Sequence, residues 1–288
     1  MPMPDNQPII DTMIGFPHVD FSQYDFIRKQ TKDKATKEEF DFPVEYMFKN
    51  VPKELYGADD DPVEITLGEM NRFNVQKGLI GCEDELSQRA LREHPERFIP
   101  CCGIDPNDIM GEVRKLDQLH KEFGLKAASA FPAGCIPQCP IDDRKFYPIY
   151  AKCCELDIPI FVCAGVPGPR FPFSPQHVER IDNVMYDFPE LTFVTRHGCE
   201  PWEELAVKLM LKWPGLYYST SAFAPKYYPK AIIDYANTRG ADRVIYAGYF
   251  PMGLSLERIM SDMQNVPLKE EVWSKFLYQN AARVLKID

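Results

Sequence analysis

His197, followed directly by Gly198, closes an apolar run, and an imidazole that titrates near neutrality can serve as a general acid or base. Three more reactive side chains sit at the ends of such runs. Cys163 would be a nucleophile if a neighbour such as His197 lowered its pKa. Tyr249 would offer a hydroxyl that donates to a substrate oxygen or relays a proton. Arg196, beside the histidine, and Lys126 could each hold a substrate carboxylate through charge-assisted hydrogen bonds. Their strand parity is open, so either could instead point outward to an acidic helix residue. Met13 ends the first apolar run and is expected to line the same pocket. Glu200 precedes Pro201, and proline in a first helical turn puts Glu200 at a helix entrance, to orient the imidazole or merely to cap. Each residue also has a plainer reading: His197 a satisfied structural histidine, Tyr249 a space-filling ring, Cys163 a small buried hydrophobe. His18, His94, His120 and His177 fall in loops or helical segments, with His18 held in reserve because it follows the first run.

One repeating unit positions these residues. From about residue 65 an amphipathic segment, a Gly or Pro break, a short apolar run and a small or reactive residue recur. The runs are 75–81, 97–103, 125–131, 158–164, 191–197, 216–221 and 243–248, and residues 9–14 supply the first strand. Apolar runs without strict alternation suit strands buried on both faces, and helices between them make every connection a parallel crossover. A series of eight favours a closed (β/α)8 TIM barrel over an open doubly wound sheet. Chemistry in such a barrel lies at the C-terminal ends of the strands, where Met13, Cys163, His197 and Tyr249 fall. Two segments interrupt the rhythm. Residues 16–61, rich in aromatics, follow the first strand and read either as a lid or as a segment packing on the barrel side or a neighbouring subunit. Residues 166–175 form a stiff proline-rich loop after the fifth strand.

The length of 288 residues suits one barrel domain over 1–288. A net charge of -10 disfavours nucleic acid, which is bound mainly by neutralising phosphates. No apolar stretch is long enough for a membrane helix and the start lacks a signal-peptide pattern, so the expected location is cytoplasmic. Nine cysteines spread through such a chain read as reduced thiols. The pairs Cys101-Cys102, Cys153-Cys154 and Cys135 with Cys139 do not make a zinc pattern.

The order of several motifs resembles the amidohydrolase-related family that includes aminocarboxymuconate-semialdehyde decarboxylase and resorcylate decarboxylase. They are Ile10-Asp11-Thr12-Met13-Ile14-Gly15, His94-Pro95-Glu96-Arg97-Phe98, Ile160-Phe161-Val162-Cys163-Ala164-Gly165, Arg196-His197-Gly198 with Pro201-Trp202, Tyr246-Ala247-Gly248-Tyr249-Phe250-Pro251, and Asn280-Ala281-Ala282-Arg283-Val284. The resemblance covers almost the whole chain and implies a barrel acting on a small organic acid. In that family the first strand ends in Asp-x-His-x-His, the fifth and sixth strands each give a histidine and the eighth an aspartate, and together they bind a divalent metal. Here those positions hold Met13, Gly15, Cys163 and Tyr249, and only His197 matches. Glycine has no donor, methionine offers a neutral thioether and tyrosine is a poor ligand at neutral pH. The expectation is a degenerate metal site and no metal cofactor, with zinc on Cys163, His197 and Asp11 as the improvised alternative.

The leading expectation is therefore a metal-independent decarboxylase, hydratase or hydrolase of a small organic acid or ring compound. His197 would be its general acid or base, and Tyr249 with a basic residue would stabilise negative charge. The alternatives are a pseudoenzyme that only binds a ligand or a partner subunit, and a metalloenzyme with unusual ligation. The resemblance also implies a homodimer or larger homo-oligomer.

Overall fold

A computed structural model describes residues 2–17, 22–40, 44–47, 51–56 and 59–287. Eight strands, β1 (Ile9–Asp11), β2 (Val75–Gly81), β3 (Phe98–Ile104), β4 (Ala127–Ala130), β5 (Ile160–Cys163), β6 (Phe193–Arg196), β7 (Leu216–Ser219) and β8 (Val244–Ile245), form one parallel sheet in sequence order. Helices Pro62–Arg72, Glu85–Glu93, Ile109–Phe123, Tyr147–Glu155, Arg180–Asp187, Glu203–Lys212 and Lys230–Ala236 make the seven crossovers. Several carry local start and stop signals. Asp84 accepts from the Ser87 amide at 2.9 Å to open the second crossover, and Gly124, at φ +65°, closes the third in the left-handed conformation that glycine adopts without penalty.

The sheet separates two cores. Inside it, Ile10, Leu79, Ile99, Cys101, Ala127, Phe161, Val194 and Ile245 meet at the barrel axis, and Ala281, Val284 and Leu285 of the C-terminal helix pack against them. Small residues on β3 and β4 leave room for the Phe161 ring. The larger core lies between strands and helices, with Met70, Leu116, Tyr150, Trp273 and Phe276 fully buried in it.

The seam between β8 and β1 differs from the other seven pairings. The expected first and last strands, 9–14 and 243–248, keep regular ladders only over Ile9–Asp11 and Val244–Ile245. Beyond them the two chains join through Thr12 N to Tyr246 O (3.4 Å), Tyr249 N to Met13 O (2.8 Å) and Gly15 N to Phe250 O (2.8 Å). These bonds and the isolated bridge between Ile14 and Phe250 close the barrel, but the chain bends there instead of running straight. That bend turns Met13 and Tyr249 toward the C-terminal mouth.

The described part of the insertion after β1 lies across this mouth. Gln30 donates to the Gly134 carbonyl at 2.6 Å, the Phe26 ring meets Phe131 edge-on at 6.5 Å, and the Tyr46 hydroxyl donates to the Gly168 carbonyl. Arg170 of the proline-rich loop pairs with Asp33 and lies 4.4 Å from the centre of the Tyr46 ring. Within the insertion, Arg28 ties the turn together by donating to the carbonyls of Thr36 (3.2 Å) and Phe40 (2.7 Å).

Candidate active site

A cavity of about 400 Å³ opens at the C-terminal end of the barrel. Its floor comes from strand ends: Gly103 and Ile104 of β3, Ser129 of β4, Cys163 of β5 and Arg196 of β6, with His197 and Tyr249 just beyond β6 and β8. Its cover comes from the insertion, through Tyr24, Phe26, Ile27, Val44 and Met47. Phe131 and Phe223 add aromatic walls.

Arg196 dominates the floor. Side chains alternate along a strand, so the inward Val194 sends Arg196 inward as well, and the same parity takes Cys163 inward from Phe161. The guanidinium lies 5.0 Å from the centre of the Phe161 ring and gives one hydrogen bond, Nη2 to the Thr12 carbonyl at 3.3 Å. Its Nε is buried with no hydrogen-bond partner, and among the described residues no carboxylate lies within ion-pair distance. A buried donor left without a partner is costly unless something else answers it.

That cation and the burial around it set the protonation of its neighbours. His197 is driven down to about 3 by burial and then by Arg196, so its ring is neutral at physiological pH. Its amide donates to Ser221 Oγ at 3.0 Å, and Ser221 Oγ lies 3.3 Å from Nδ1. The ring meets Tyr249 edge-on at 5.3 Å. Burial pushes the Tyr249 phenol above its ordinary value, keeping it a protonated donor, and pushes the Cys163 thiol up to about 12. Cys163 therefore supplies no thiolate at neutral pH.

Beneath the floor, Asp11 is fully buried. Its Oδ1 accepts from the amides of Gly248 (2.8 Å) and Met13 (2.9 Å), while Oδ2 has no partner. Burial raises its pKa to about 7 against the opposing pull of those amides, Tyr246 and Arg196. A Cβ on Gly248 would fall 2.4 Å from Asp11 Oδ2 and 2.7 Å from the Tyr246 hydroxyl, so only glycine leaves this carboxyl its space. His197, Ala222 and Tyr249 line the cavity with left-handed backbones at φ +64°, +72° and +81°. Conformations that cost about 1–3 kcal/mol each persist where the surroundings enforce them, and they concentrate at functional sites.

Of the residues singled out in the sequence, Met13, Cys163, Arg196, His197 and Tyr249 meet at this one cavity. Glu200 does not line it. Its side chain faces an outer cavity of about 580 Å³ shared with Lys226 and Arg258. Lys126 is a correction: it precedes β4, at the opposite end of the barrel, and its Nζ donates to the Lys286 carbonyl at 3.4 Å. A basic residue at the start of a strand cannot reach the mouth. His18 lies outside the described residues. Ser221 was missed although it ends an apolar run as His197 does. Tyr24 was missed because nothing in a loop sequence says which aromatic turns inward.

Among solved structures, an uncharacterised TIM-barrel protein of Bordetella bronchiseptica superposes with a TM-score of 0.77 at 21% identity, covering 97% of this chain and 98% of that one. A 5-carboxyvanillate decarboxylase from Novosphingobium aromaticivorans, complexed with manganese and 4-hydroxy-3-methoxy-5-nitrobenzoic acid, superposes with a TM-score of 0.68 at 16% identity, covering 98% and 97%. In sequence, a 2-keto-4-carboxy-3-hexenedioate hydratase of Sphingobium sp. (strain NBRC 103272 / SYK-6) is 25% identical over 132 residues, 40% of this chain and 39% of the hydratase. The match thus spans well under half of that protein. Further solved structures of the same fold include a 2,6-dihydroxybenzoate decarboxylase at 13% identity and a 4-oxalomesaconate hydratase of Rhodopseudomonas palustris at 19%.

These relatives overturn the expectation of no cofactor. The carboxyvanillate decarboxylase and two further decarboxylase structures of this fold carry bound manganese, which points to a metal rather than none. The residues at this mouth do not themselves fit such an ion. Among the described residues no three His, Cys, Asp or Glu side chains are grouped to hold one, and the position between Cys163 and His197 is under the positive charge of Arg196. Residues 32–287 match the amidohydrolase family model, nearly the whole length of the barrel, and the chain belongs to the amidohydrolase family.

Proposed function

We propose that this protein is a lyase of a small unsaturated carboxylic acid, bound in the cavity with its carboxylate on Arg196 and its flat skeleton between Phe26, Phe131 and Phe223. The carrying observation is the guanidinium of Arg196, which faces the cavity with a buried Nε that the protein leaves without a partner. A carboxylate is the complement of that fork. The apolar walls suit a planar substrate, and a few convergent polar groups orient it.

Every polar group on the floor is a donor at neutral pH. Arg196 brings its guanidinium, Tyr249 keeps its proton, and the neutral His197 carries one ring N–H, with Ser221 Oγ 3.3 Å from its Nδ1. His197 then acts as a hydrogen-bond donor to developing negative charge, not as an imidazolium acid. Donors aimed where charge develops lower the barrier of steps that pass through an enolate. This favours hydration or dehydration of an unsaturated oxo acid over decarboxylation at the anchored group. A guanidinium stabilises the carboxylate of the ground state but not the neutral carbon dioxide that must leave, so it would slow that loss. The partial match to a hydratase supports the same choice. The described part of the insertion belongs to this reading as a lid, since it supplies five of the cavity's lining residues. All nine cysteines are free and eight are buried, in keeping with a reducing, cytoplasmic setting.

The test is turnover of unsaturated 2-oxo di- and tricarboxylic acids beside hydroxybenzoates, followed by ultraviolet absorbance, in the wild type and in Arg196→Gln. Water addition or loss that falls by about a hundredfold in the variant is expected. Carbon dioxide release from hydroxybenzoates, undiminished in Arg196→Gln, would overturn the proposal.

A further inference from the structure

The insertion brings a group into the cavity that the strand ends cannot supply. Tyr24 closes the short helical turn Ser22–Tyr24, just before the helix Asp25–Gln30. It lines the main cavity beside Phe26 and Ile27 of the same segment. With Met13, Tyr249 and Met252 it also borders a side cavity of about 260 Å³, so it stands in the wall shared with Tyr249. The helix that follows it is held against the mouth by two contacts. Gln30 is bonded to the Gly134 carbonyl, and Phe26 packs on Phe131.

We propose that Tyr24 is a specificity-determining residue: its phenol and that of Tyr249 form a pair that receives an oxygen substituent of the acid whose carboxylate Arg196 holds. The inference rests on the reading of Arg196 as the carboxylate anchor. Both phenols stay protonated, because burial raises each; Tyr56 and Tyr249 add to the effect at Tyr24, and Cys163 and Tyr56 add to it at Tyr249 against the opposing pull of Arg196. Two neutral phenols bordering the same two cavities suit a hydroxyl or carbonyl oxygen, which can accept from both, and give nothing to a bare ring edge. The residue sits on the cover and the anchor on the floor. An acid that reaches both is therefore read at its two ends, and a substrate lacking the oxygen forfeits the upper contact while keeping the lower.

Calorimetric titration of the full chain with benzoate and with the tightest-binding of 2-, 3- and 4-hydroxybenzoate separates the two contributions. The wild type should bind the hydroxylated acid about tenfold more tightly than benzoate. Tyr24→Phe should erase most of that preference while benzoate affinity stays within about twofold, and Arg196→Gln should weaken both acids by tenfold or more. A preference that survives in Tyr24→Phe, or a wild type blind to the hydroxyl whose affinity still drops in Arg196→Gln, would overturn the role of Tyr24 alone. Benzoates that do not bind at all, or bind Arg196→Gln as well as wild type, would overturn the anchor and the inference with it. Because the benzoate arm reports a retained pocket, a Tyr24→Phe protein that merely unfolds shows itself by losing both acids.

Discussion

On the floor of the cavity, Arg196 stands one strand repeat beyond Val194 in a closed sheet, with the buried Phe161 ring beneath it. The cover reaches the same cavity by different means: one ion pair from Arg170 to Asp33, a guanidinium stacked on Tyr46, and hydrogen bonds to the carbonyls of Gly134 and Gly168. The floor is held by packing on every side, so its groups have one position. The cover is held by a few apolar contacts, such as Phe26 on Phe131, and by partly exposed polar ones each worth about 1 kcal/mol or less. Local opening draws on such low-stability contacts, whereas the barrel interior opens only with global unfolding. A site that must admit a ligand and then surround it needs one wall of each kind.

The sharpest way to break this contrast is to remove the platform of the floor. Phe161→Ala should cost about 3–5 kcal/mol in urea denaturation, because the closed inner layer cannot collapse around the gap. A loss below about 1 kcal/mol would mean that the floor is no better packed than the cover.

The pH dependence of stability tests the floor next, through two buried groups that pull in opposite directions. Asp11 rises from an ordinary 3.8 to about 7, so the stability it lends is complete below about 4 and is lost as the pH climbs toward 7. His197 falls from 6.5 to about 3, so its contribution is present above 6.5 and is lost as the pH drops. Between about pH 4 and 6.5 the two offset each other, and the wild type should show a nearly flat profile from this pair. Asp11→Asn should leave a protein whose stability falls on acidification, and His197→Gln one whose stability falls on alkalinisation. Each slope should approach about 1.4 kcal/mol per pH unit. Denaturation midpoints from pH 4 to 7 measure it, and two variants sloping the same way would refute the assignment.

For the cover, Arg170→Ala should change the melting temperature little, by less than about 1 kcal/mol equivalent, since its partners are partly exposed. Trypsin should nonetheless cut several-fold faster within residues 28–37, where basic residues are released with the segment. Equal digestion would show that the insertion does not depend on this latch. The smallest effect is expected at the far end of the barrel. Lys126→Ala, remote from the mouth, should alter stability by no more than about 0.5 kcal/mol and leave acid binding untouched.

Much of the floor is legible in the sequence. The recurrence of short apolar runs gave eight parallel strands, and the rule that chemistry sits at strand ends singled out Cys163, Arg196, His197 and Tyr249, which do share one cavity. The same rule failed for Lys126, which begins its run, because a run's apolar boundary does not say where the ladder starts. Nothing comparable singled out Tyr24 or Met47, since loop residues follow no period that marks an inward face.

The amino-acid sequence by itself determined the alternation of strand and helix and the family to which the chain belongs, because both rest on local apolar periodicity and on motifs read in order. Only the tertiary structure decided that Arg196 points into the barrel, that His197 is neutral and that the insertion lies over the mouth. Strands buried on both faces carry no alternation from which to read a side chain's direction. A pKa depends on the burial and charge assembled by distant segments, and the path of a long loop is set by the surface on which it comes to rest.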